Sequence, residues 1–506
     1  MIDLPDFKPL KIVQSSRRPT RALLDALDHV VVVVPPKLAL GALRILPQGR
    51  QLELMLTRAR TRGAKTINAS LSNSRSTTVT VAVYDATSAF GSLTWARQLM
   101  AECLRGKPAK LGVIALDPDA QTARRALLAL VAAAEAAAFA LPRFKTDKKA
   151  PESPLRSVQL FAGAPRLELR DARAQGFGNN VARWFTALPP NELSATSYRK
   201  AIDTLIKPYP ITSKFLGERE LTRLKAGAFL AVAQGSAARD AGIAHLSYRP
   251  ARSKKAAVAL VGKGVLFDTG GTNLKPFKGM LDMHTDMQGS AVALGILLAL
   301  AELRVPYTVD AWLAITENRL SASAYKSQDV VFAANGTSIQ VIHTDAEGRM
   351  VLADALALAA RAEPAVIIDY ATLTGSCVAA VTDQYSGVFS NRAAADRLLI
   401  DTGIASGERV WPFPMDADFD ELLKSEIADI KQCVVDNDGD HILAARFLNR
   451  FVPEHIPWIH VDLSAGQHKG GLAHVPSDIT GFGVRFTLEL LCNHAPPEEL
   501  ARRLSA

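Results

Sequence analysis

Short apolar runs of strand length alternate along this chain with longer stretches that are rich in alanine and leucine. The runs HVVVVV (29–34), KLGVIALD (110–117) and AVIIDYATLTG (365–375) have the length of buried strands, whereas ARRALLALVAAAEAAAFAL (123–141) has the length of a helix. Strands that alternate with helices favour parallel sheets covered by helices. The sequence therefore predicts an α/β fold.

The length of the chain predicts two domains. A chain of 506 residues is longer than one hydrophobic core usually accommodates. The charged segment at 142–154 contains prolines and is typical of a loop near a domain boundary. We therefore predict a smaller, basic α/β domain over residues 1–164. A larger α/β domain over 165–506 should contain a central mixed, mostly parallel sheet covered by helices.

The composition excludes several protein classes. Hydrophobic residues make up 48% of the chain and charged residues 22%, which is typical of globular proteins and not of disordered ones. No apolar stretch of about 18 residues predicts a transmembrane helix, so we expect no membrane partner. The N-terminus lacks the order of a signal peptide. The four cysteines are scattered and form no CxxC, which favours a reducing cytoplasm over a disulfide framework or a thiolate zinc site.

Positive charge is concentrated in the first third of the chain. Residues 1–150 contain 23 Lys and Arg against 11 Asp and Glu, a net charge of +12, whereas the remainder has a net charge of −3. This excess has two interpretations. It forms either a solvated basic face or a surface that attracts a polyanion such as DNA.

Four carboxylates follow the ends of predicted strands or begin predicted helices: Asp268, Asp286, Asp345 and Glu347. Because binding sites in open α/β sheets lie beyond the carboxyl ends of the strands, we expect these side chains to converge. Carboxylates that lie close together cannot all ionise without compensation, and a cation would supply it. Oxygen ligands favour Mg, Mn or Zn, and four carboxylates suffice for two ions that activate one water.

Each residue alone also has a structural interpretation. An Asp before a helix, such as Asp286, is usually a cap. His284 and His343 are more typical of hydrogen-bonded structural histidines than of metal ligands, and Arg349 can pair with a neighbouring acid. The carboxylates alone would also suit a metal-dependent phosphatase or nuclease. The combination of motifs decides between these alternatives.

Four blocks of the sequence resemble, in order and spacing, the signature blocks of the leucyl aminopeptidase family, also called cytosol aminopeptidases. They are VGKGVLFDTGGTNLKP, MHTDMQGSA, HTDAEGRMVLADAL and DYATLTG, and the resemblance extends over roughly 165–490. It implies a metallo-aminopeptidase that removes the N-terminal residue of peptides with a water activated by two metal ions. It argues against the interpretation as a phosphatase or nuclease. A DNA-binding protein that uses the basic first domain, with or without peptidase activity, stays as the alternative.

The resemblance also implies roles for individual residues. Lys275 would polarise the scissile carbonyl, and Arg349 would hold a small anion, bicarbonate in relatives, that relays a proton. The implied metal ligands are Lys263, Asp268, Asp286, Asp345 and Glu347. The expected substrate-binding residues are Met283, Thr372 and Gly375.

The resemblance implies partners and cofactors as well. We expect two divalent ions per subunit, with Mn or Zn favoured and Mg or Co as alternatives, and peptide substrates with a free N-terminus. We also expect a cytoplasmic homohexamer. The chain departs from the family pattern at His343 and Met350, where relatives usually have Asn and Leu, and in the segment DLSAG (462–466). These departures leave the preferred N-terminal residue open.

Overall fold

The computed structural model describes residues 2–16, 18–146, 155–161, 166–250, 257–436, 439–494 and 497–505. The chain divides into two compact units. The smaller unit comprises Phe7–Gly176 and Gly470–Ser477, and the larger unit comprises Met1–Asp6, Phe177–Lys469 and Asp478–Ala506. The predicted boundary at 164/165 and most of the predicted loop at 142–154 lie outside the described residues. The predicted division into domains therefore stays a prediction.

The smaller unit contains a six-stranded sheet with helices. Its strands are β1 (Lys11–Gln14), β2 (His29–Val34), β3 (Thr66–Ser70), β4 (Thr78–Val83), β5 (Lys110–Ala115) and β6 (Ser157–Leu160). Its helices are α1 (Arg21–Asp25), α2 (Gly49–Arg60), α3 (Ala89–Leu104) and α4 (Ala120–Ala138), with a 3-10 turn at Ala42–Ile45. The strand order is β1-β6-β5-β2-β4-β3, and β3 runs antiparallel to β4.

The central strand of this sheet shows why the valine run folds as it does. Every residue of β2 is buried, and β2 pairs in parallel with β4 on one side and with β5 on the other. Strands buried on both faces are continuously apolar, and β-branched residues suit such strands. The helix predicted at 123–141 is α4, which begins after Asp119. The Asp119 carboxylate accepts the backbone N–H groups of Gln121 and Thr122.

Helix α5 (Arg170–Thr186) begins in the smaller unit and continues into the larger one. The larger unit contains the remaining strands and helices. The strands are β7 (Ile211–Gly217), β8 (Gly242–Tyr248), β9 (Val258–Asp268), β10 (Val309–Asn318), β11 (Val330–Phe332), β12 (Ser338–Gln340), β13 (Val366–Ala371), β14 (Ser386–Ser390), β15 (Val410–Pro412), β16 (Ile430–Lys431) and β17 (Trp458–Asp462).

The helices of the larger unit alternate with these strands. They are α6 (Ala195–Leu205), α7 (Glu218–Arg223), α8 (Gly227–Ala233), α9 (Phe277–Met280), α10 (Gln288–Glu302), α11 (Glu347–Ala360), α12 (Gly375–Val381), α13 (Ala395–Ser406), α14 (Asp440–Asn449), α15 (Val484–Leu488) and α16 (Pro497–Ser505). Shorter 3-10 turns lie at Met283–Thr285, Thr382–Gln384, Ala417–Leu423 and Ser464–Gly466, and a π-helical turn lies at Glu489–His494.

The main sheet of the larger unit has eight strands in the order β15-β14-β17-β13-β9-β10-β8-β7. The four central strands, β17, β13, β9 and β10, are parallel to one another. Antiparallel pairing occurs towards the edges, where β14 pairs with β17, and β8 pairs with β10 and β7. The predicted α/β class with mixed, mostly parallel sheets is confirmed. Strands β11, β12 and β16 form a separate small sheet.

Two buried helices support the central strands. In α10 every residue from Gln288 to Ala301 is buried, and in α11 the entire helix is buried. A helix that is buried on every side is mostly apolar, which explains the alanine- and leucine-rich sequences of both. Within the described residues, no helix combines the length and the apolar character that crossing a membrane requires.

One buried carboxylate fixes α11 to its neighbours. Asp354 is fully buried in the middle of this helix. Its Oδ2 accepts the backbone N–H of Phe229 at 2.7 Å, and its Oδ1 accepts the backbone N–H of Ala334 at 2.6 Å. Phe229 lies in the first turn of α8, so Asp354 satisfies one of the N–H groups that a helix start leaves without an intrahelical partner.

We predict that Asp354→Asn lowers the free energy of unfolding by about 1–3 kcal/mol. The amide would present N–H to one of the two backbone donors, so that a buried donor loses its acceptor. Urea denaturation followed by circular dichroism measures the change. The control is Asp401→Asn, which removes an exposed pair with Arg397 and should change stability by less than about 0.5 kcal/mol. Equal stability of the Asp354 variant and the wild type would contradict the assignment.

Candidate active site

The ends of the central strands open onto a cavity of about 700 Å³. Its lining contains every site residue that the sequence predicts: Lys263, Asp268, Lys275, Met283, Asp286, Asp345, Glu347, Arg349, Thr372 and Gly375. The structure thus brings together side chains that are up to 112 positions apart in the sequence. Parallel pairing explains this, because it places the carboxyl ends of neighbouring strands at one edge of the sheet.

Each central acid is placed by the start or end of a secondary structure element. Asp268 is the last residue of β9, and Lys263 lies five residues earlier in the same strand. Asp286 follows the turn at Met283–Thr285, just before α10. Glu347 is the first residue of α11. The motif that contains Asp345 and Glu347 therefore joins the edge of the sheet to a buried helix.

Two lysines lie among the acids. Lys263 Nζ is 2.7 Å from Asp286 Oδ1 and 2.8 Å from Glu347 Oε1, and it donates to the Thr372 carbonyl at 3.0 Å. Lys275 Nζ is 2.9 Å from Asp268 Oδ2 and 2.6 Å from Asp345 Oδ1. The lysines therefore divide the four carboxylates between them, two to each lysine.

The donor atoms fit a divalent cation. Asp268, Asp286 and Glu347 are buried and offer oxygen atoms that lie within 4.8 Å of one another. In the part of the chain that the structure describes, neither Asp286 Oδ2 nor Glu347 Oε2 has a hydrogen-bond partner. Buried carboxylate oxygens without partners are costly, and hard oxygen donors suit Mg, Mn or Zn. Asp345 is less buried and lies outside this trio, paired with Lys275.

The pKa values reflect the crowding of charge. Burial raises the pKa of Asp268 to about 6, and the nearby charge of Glu347 adds to the effect. Burial also raises the pKa of Asp286 well above its ordinary value. Burial alone would lower the pKa of Lys263, but the charges of Asp286 and Glu347 outweigh it and raise that pKa. A dication among the carboxylates would reverse this balance, because it favours ionised acids and a neutral amine.

Two side chains orient the acids by hydrogen bonds, and one of them, Asn318, is missed by the sequence motifs, whereas Thr372 is expected there only as a substrate contact. Asn318 at the end of β10 donates its side-chain N–H to Asp268 Oδ1 at 2.8 Å. The Thr372 hydroxyl donates to Asp286 Oδ1 at 2.7 Å. Such contacts orient ligands and are typical of metal sites. The signal for Asn318 is its place at the end of a strand that neighbours the strand of Asp268.

The two histidines behave differently. His343 lines the cavity, and its Nδ1 accepts the backbone N–H of Asp345 at 3.3 Å. His284 follows Met283 in the turn before Asp286, and burial lowers its pKa. Neither belongs to the group of buried acids that could hold a metal among the described residues. Their structural interpretation stays a prediction.

Arg349 is buried beneath the cavity and is bound by a residue that the sequence analysis missed. Its Nη2 lies 2.6 Å from Asp440 Oδ2, and its Nη1 donates to the Gln432 carbonyl at 3.2 Å. Asp440 is the first residue of α14 and lines the same cavity. In the sequence it is one acid among several in VVDNDGDH, so nothing there distinguishes it from an ordinary acid at a helix start.

The residues from 180 to 488 match the profile of the "Cytosol aminopeptidase family, catalytic domain". This chain belongs to the cytosol aminopeptidase family. It is a metal-dependent aminopeptidase, a hydrolase that acts on peptides. The resemblance inferred from the sequence blocks is therefore confirmed, as are the enzyme class and the aminopeptidase function.

Individual relatives agree with this family. The chain is 40% identical over 363 residues to a probable cytosol aminopeptidase of Syntrophotalea carbinolica, a match that covers 70% of this chain and 72% of the relative. It is 38% identical over 406 residues to a probable cytosol aminopeptidase of Chlorobaculum parvum, with coverage of 76% and 80%.

Solved structures of cytosol aminopeptidase relatives share the fold. A mutant of tomato leucine aminopeptidase matches with a TM-score of 0.81 and 25% identity over 96% of this chain and 97% of that one. The bottromycin maturation enzyme BotP, in complex with Mn, matches with a TM-score of 0.77 and 27% identity over 94% and 99%. Both matches extend over nearly the whole of this chain.

A glycine in α11 makes room for the buried lysine. A Cβ at Gly348 would lie 2.7 Å from Lys263 Cε and 2.8 Å from Lys263 Nζ. The lysine cannot retreat easily, because its amine is fixed between Asp286 and Glu347. A side chain at position 348 would therefore displace the lysine from the acids.

We predict that Gly348→Ala weakens Mn²⁺ binding by at least tenfold, because it moves Lys263 within the acid cluster. Alanine favours a helix over glycine, so the loss cannot come from helix propensity. Isothermal titration calorimetry with Mn²⁺ measures the affinity. The control is Gly375→Ala at the start of α12, where an added Cβ meets no atom within 4 Å. Unchanged affinity in the Gly348 variant would contradict this account of the site.

Proposed function

We propose that residues 165–506 form a catalytic domain that holds two divalent ions. The proposed ligands are Lys263, Asp268, Asp286, Asp345 and Glu347. The observation that carries this proposal is the buried trio Asp268, Asp286 and Glu347, in which Asp286 Oδ2 and Glu347 Oε2 lack hydrogen-bond partners among the described residues. Three crowded, buried carboxylates are stable together only with compensating positive charge.

Manganese or zinc is the favoured metal, with magnesium or cobalt as alternatives. The oxygen-rich ligand set accepts all four, and supply in the cell decides which is bound. The structure of the relative BotP is a complex with Mn, which supports manganese. When bound, two such ions supply a Lewis acid and an activated water for hydrolysis of the first peptide bond.

The side chains of Lys275 and Arg349 supply the other proposed catalytic groups. The Lys275 ammonium group lies in the cavity between Asp268 and Asp345, where it can donate to the scissile carbonyl oxygen and stabilise the negative charge that develops there. Arg349 is proposed to hold the anion that accepts and returns a proton, and the resemblance alone implies that this anion is bicarbonate. Met283, Thr372 and Gly375 line the cavity and are proposed to contact the substrate.

We propose a cytoplasmic homohexamer that acts on peptides with a free N-terminus. The family supports the peptide substrates, and the relatives are named cytosol aminopeptidases. Leu274, Phe277 and Leu281 are more than half exposed around α9. An apolar surface of this kind would be covered by contacts between subunits.

DNA binding by the basic first domain stays a prediction. Its support is the net charge of +12 over residues 1–150, which would attract phosphates without reading bases. Peptide hydrolysis does not depend on it.

We predict that Glu347→Gln abolishes aminopeptidase activity because it removes a charged ligand and the bound metal, while the fold persists. Activity on a panel of aminoacyl p-nitroanilides with added Mn²⁺, metal content by plasma emission and thermal melting decide this together. Glu317→Gln is the matched control, because Glu317 lies in β10 outside the cavity lining and bonds Ser236. Full metal content and full turnover in the Glu347 variant would overturn the ligand assignment.

We predict that Lys275→Ala lowers kcat by roughly 10²–10³-fold, the usual effect of losing one donor to a developing oxyanion. The metals should stay bound, since the proposed carboxylate ligands are intact. Steady-state kinetics and metal content measure the two effects separately. Loss of metal at unchanged kcat per bound metal would show that Lys275 organises the ligands instead.

A further inference from the structure

The buried Arg349 is already paired with an anion that belongs to the chain. Only 2% of the Arg349 side chain is exposed, and its Nη2 lies 2.6 Å from Asp440 Oδ2. The Asp440 side chain is 15% exposed, and both residues line the cavity of the proposed metal ligands. The carboxylate of Asp440 therefore contacts the guanidinium of Arg349 and also lines the cavity.

The position of Asp440 at the start of α14 does not explain this contact. Acids at a helix start commonly interact with the free N–H groups of the first turn. In α14 the N–H of His441 bonds instead to Ser376 Oγ at 2.9 Å. The N–H groups of Ile442 and Leu443 bond to the Gly439 carbonyl. The Asp440 carboxylate is directed to the guanidinium of Arg349.

An external anion would compete with the Asp440 carboxylate for the guanidinium of Arg349. Arg349 donates Nη1 to a carbonyl and Nη2 to Asp440, and its buried Nε–H has no partner among the described residues. A bicarbonate ion would therefore have to displace the Asp440 carboxylate or bind Arg349 beside it. Two anions in contact repel each other, and burial strengthens the repulsion. The Asp440 carboxylate is already positioned by the fold, so it does not lose the translational and rotational entropy that a free anion loses on binding.

We propose that the Asp440 carboxylate, held by Arg349, is the proton carrier of the reaction and takes the place of an external anion such as bicarbonate. This inference rests on the proposed function. One O–H bond of the attacking water breaks and its proton passes to a carboxylate oxygen of Asp440, while the water oxygen bonds to the carbonyl carbon. The same proton then passes to the leaving nitrogen as the C–N bond breaks, which restores the carboxylate.

Two variants of the full-length, Mn²⁺-loaded enzyme separate this role from packing. Asp440→Ala removes the carboxylate and opens space beside Arg349, whereas Asp440→Asn removes the charge but fills the space. Asp420→Asn is the matched control, because Asp420 pairs with Arg446 of the same helix and does not line the catalytic cavity. Turnover of aminoacyl p-nitroanilides is measured in degassed buffer with and without added bicarbonate or formate.

We expect wild-type turnover to be independent of added bicarbonate. Asp440→Ala should lose about 10²–10⁴-fold in kcat, as for other proton-transfer groups, and regain roughly tenfold or more with bicarbonate or formate. Asp440→Asn should lose as much and not be rescued, and Asp420→Asn should resemble the wild type. Stimulation of the wild type by bicarbonate, full activity of Asp440→Ala, or a loss that neither anion rescues would each overturn the proposal.

Binding of bicarbonate gives a readout that does not depend on turnover. Carbon-13 NMR with labelled bicarbonate should detect saturable binding to Asp440→Ala and none to the wild type. Saturable binding to the wild type would contradict the assignment of Asp440. A wild-type enzyme without aminopeptidase activity would instead overturn the proposed function, so the two failures are distinguishable.

Discussion

The structure depends on the crowding of negative charge at the ends of the central parallel strands. Asp268, Asp286 and Glu347 are buried within a few ångströms of one another, and Lys263 lies between two of them. Burial removes the water that would screen this repulsion. The fold can hold such a cluster only because a cation compensates it, whether an ammonium group or a metal ion. The chemistry of the family thus follows from an arrangement that would be unfavourable without positive charge.

The rigid surroundings of the cluster explain why this compensation is specific. Asp268 ends a strand that is paired on both sides, and Glu347 begins a helix that is entirely buried. Asn318 and Thr372 orient two of the carboxylates by hydrogen bonds. The backbone of Asp268 cannot move away from the other acids without breaking sheet pairing, and that of Glu347 cannot do so without breaking core packing. A preorganised site of this kind loses little energy to rearrangement when it binds a metal or a substrate.

The sequence predicts the centre of this fold better than its periphery. The valine run of β2 and the acid-bearing ends of the central strands carry strong signals, since burial on both faces demands continuous apolar residues. The antiparallel pair of β7 and β8 is not predicted, because the edge strand Ile211–Gly217 alternates buried and exposed residues only weakly. The role of Asp440 is not predicted from the sequence for another reason. Its partner Arg349 is 91 positions away, and only the tertiary fold brings the two together.

Anomalous diffraction from crystals of the Mn²⁺-loaded enzyme tests the central claim most directly. The account predicts two manganese peaks, about 3.5–4 Å apart, among the carboxylates of Asp268, Asp286 and Glu347. It also predicts that Lys263 Nζ moves from hydrogen bonding the acids to binding one of the ions. A cavity without manganese at saturating Mn²⁺, with Lys263 still bridging Asp286 and Glu347, would contradict the account.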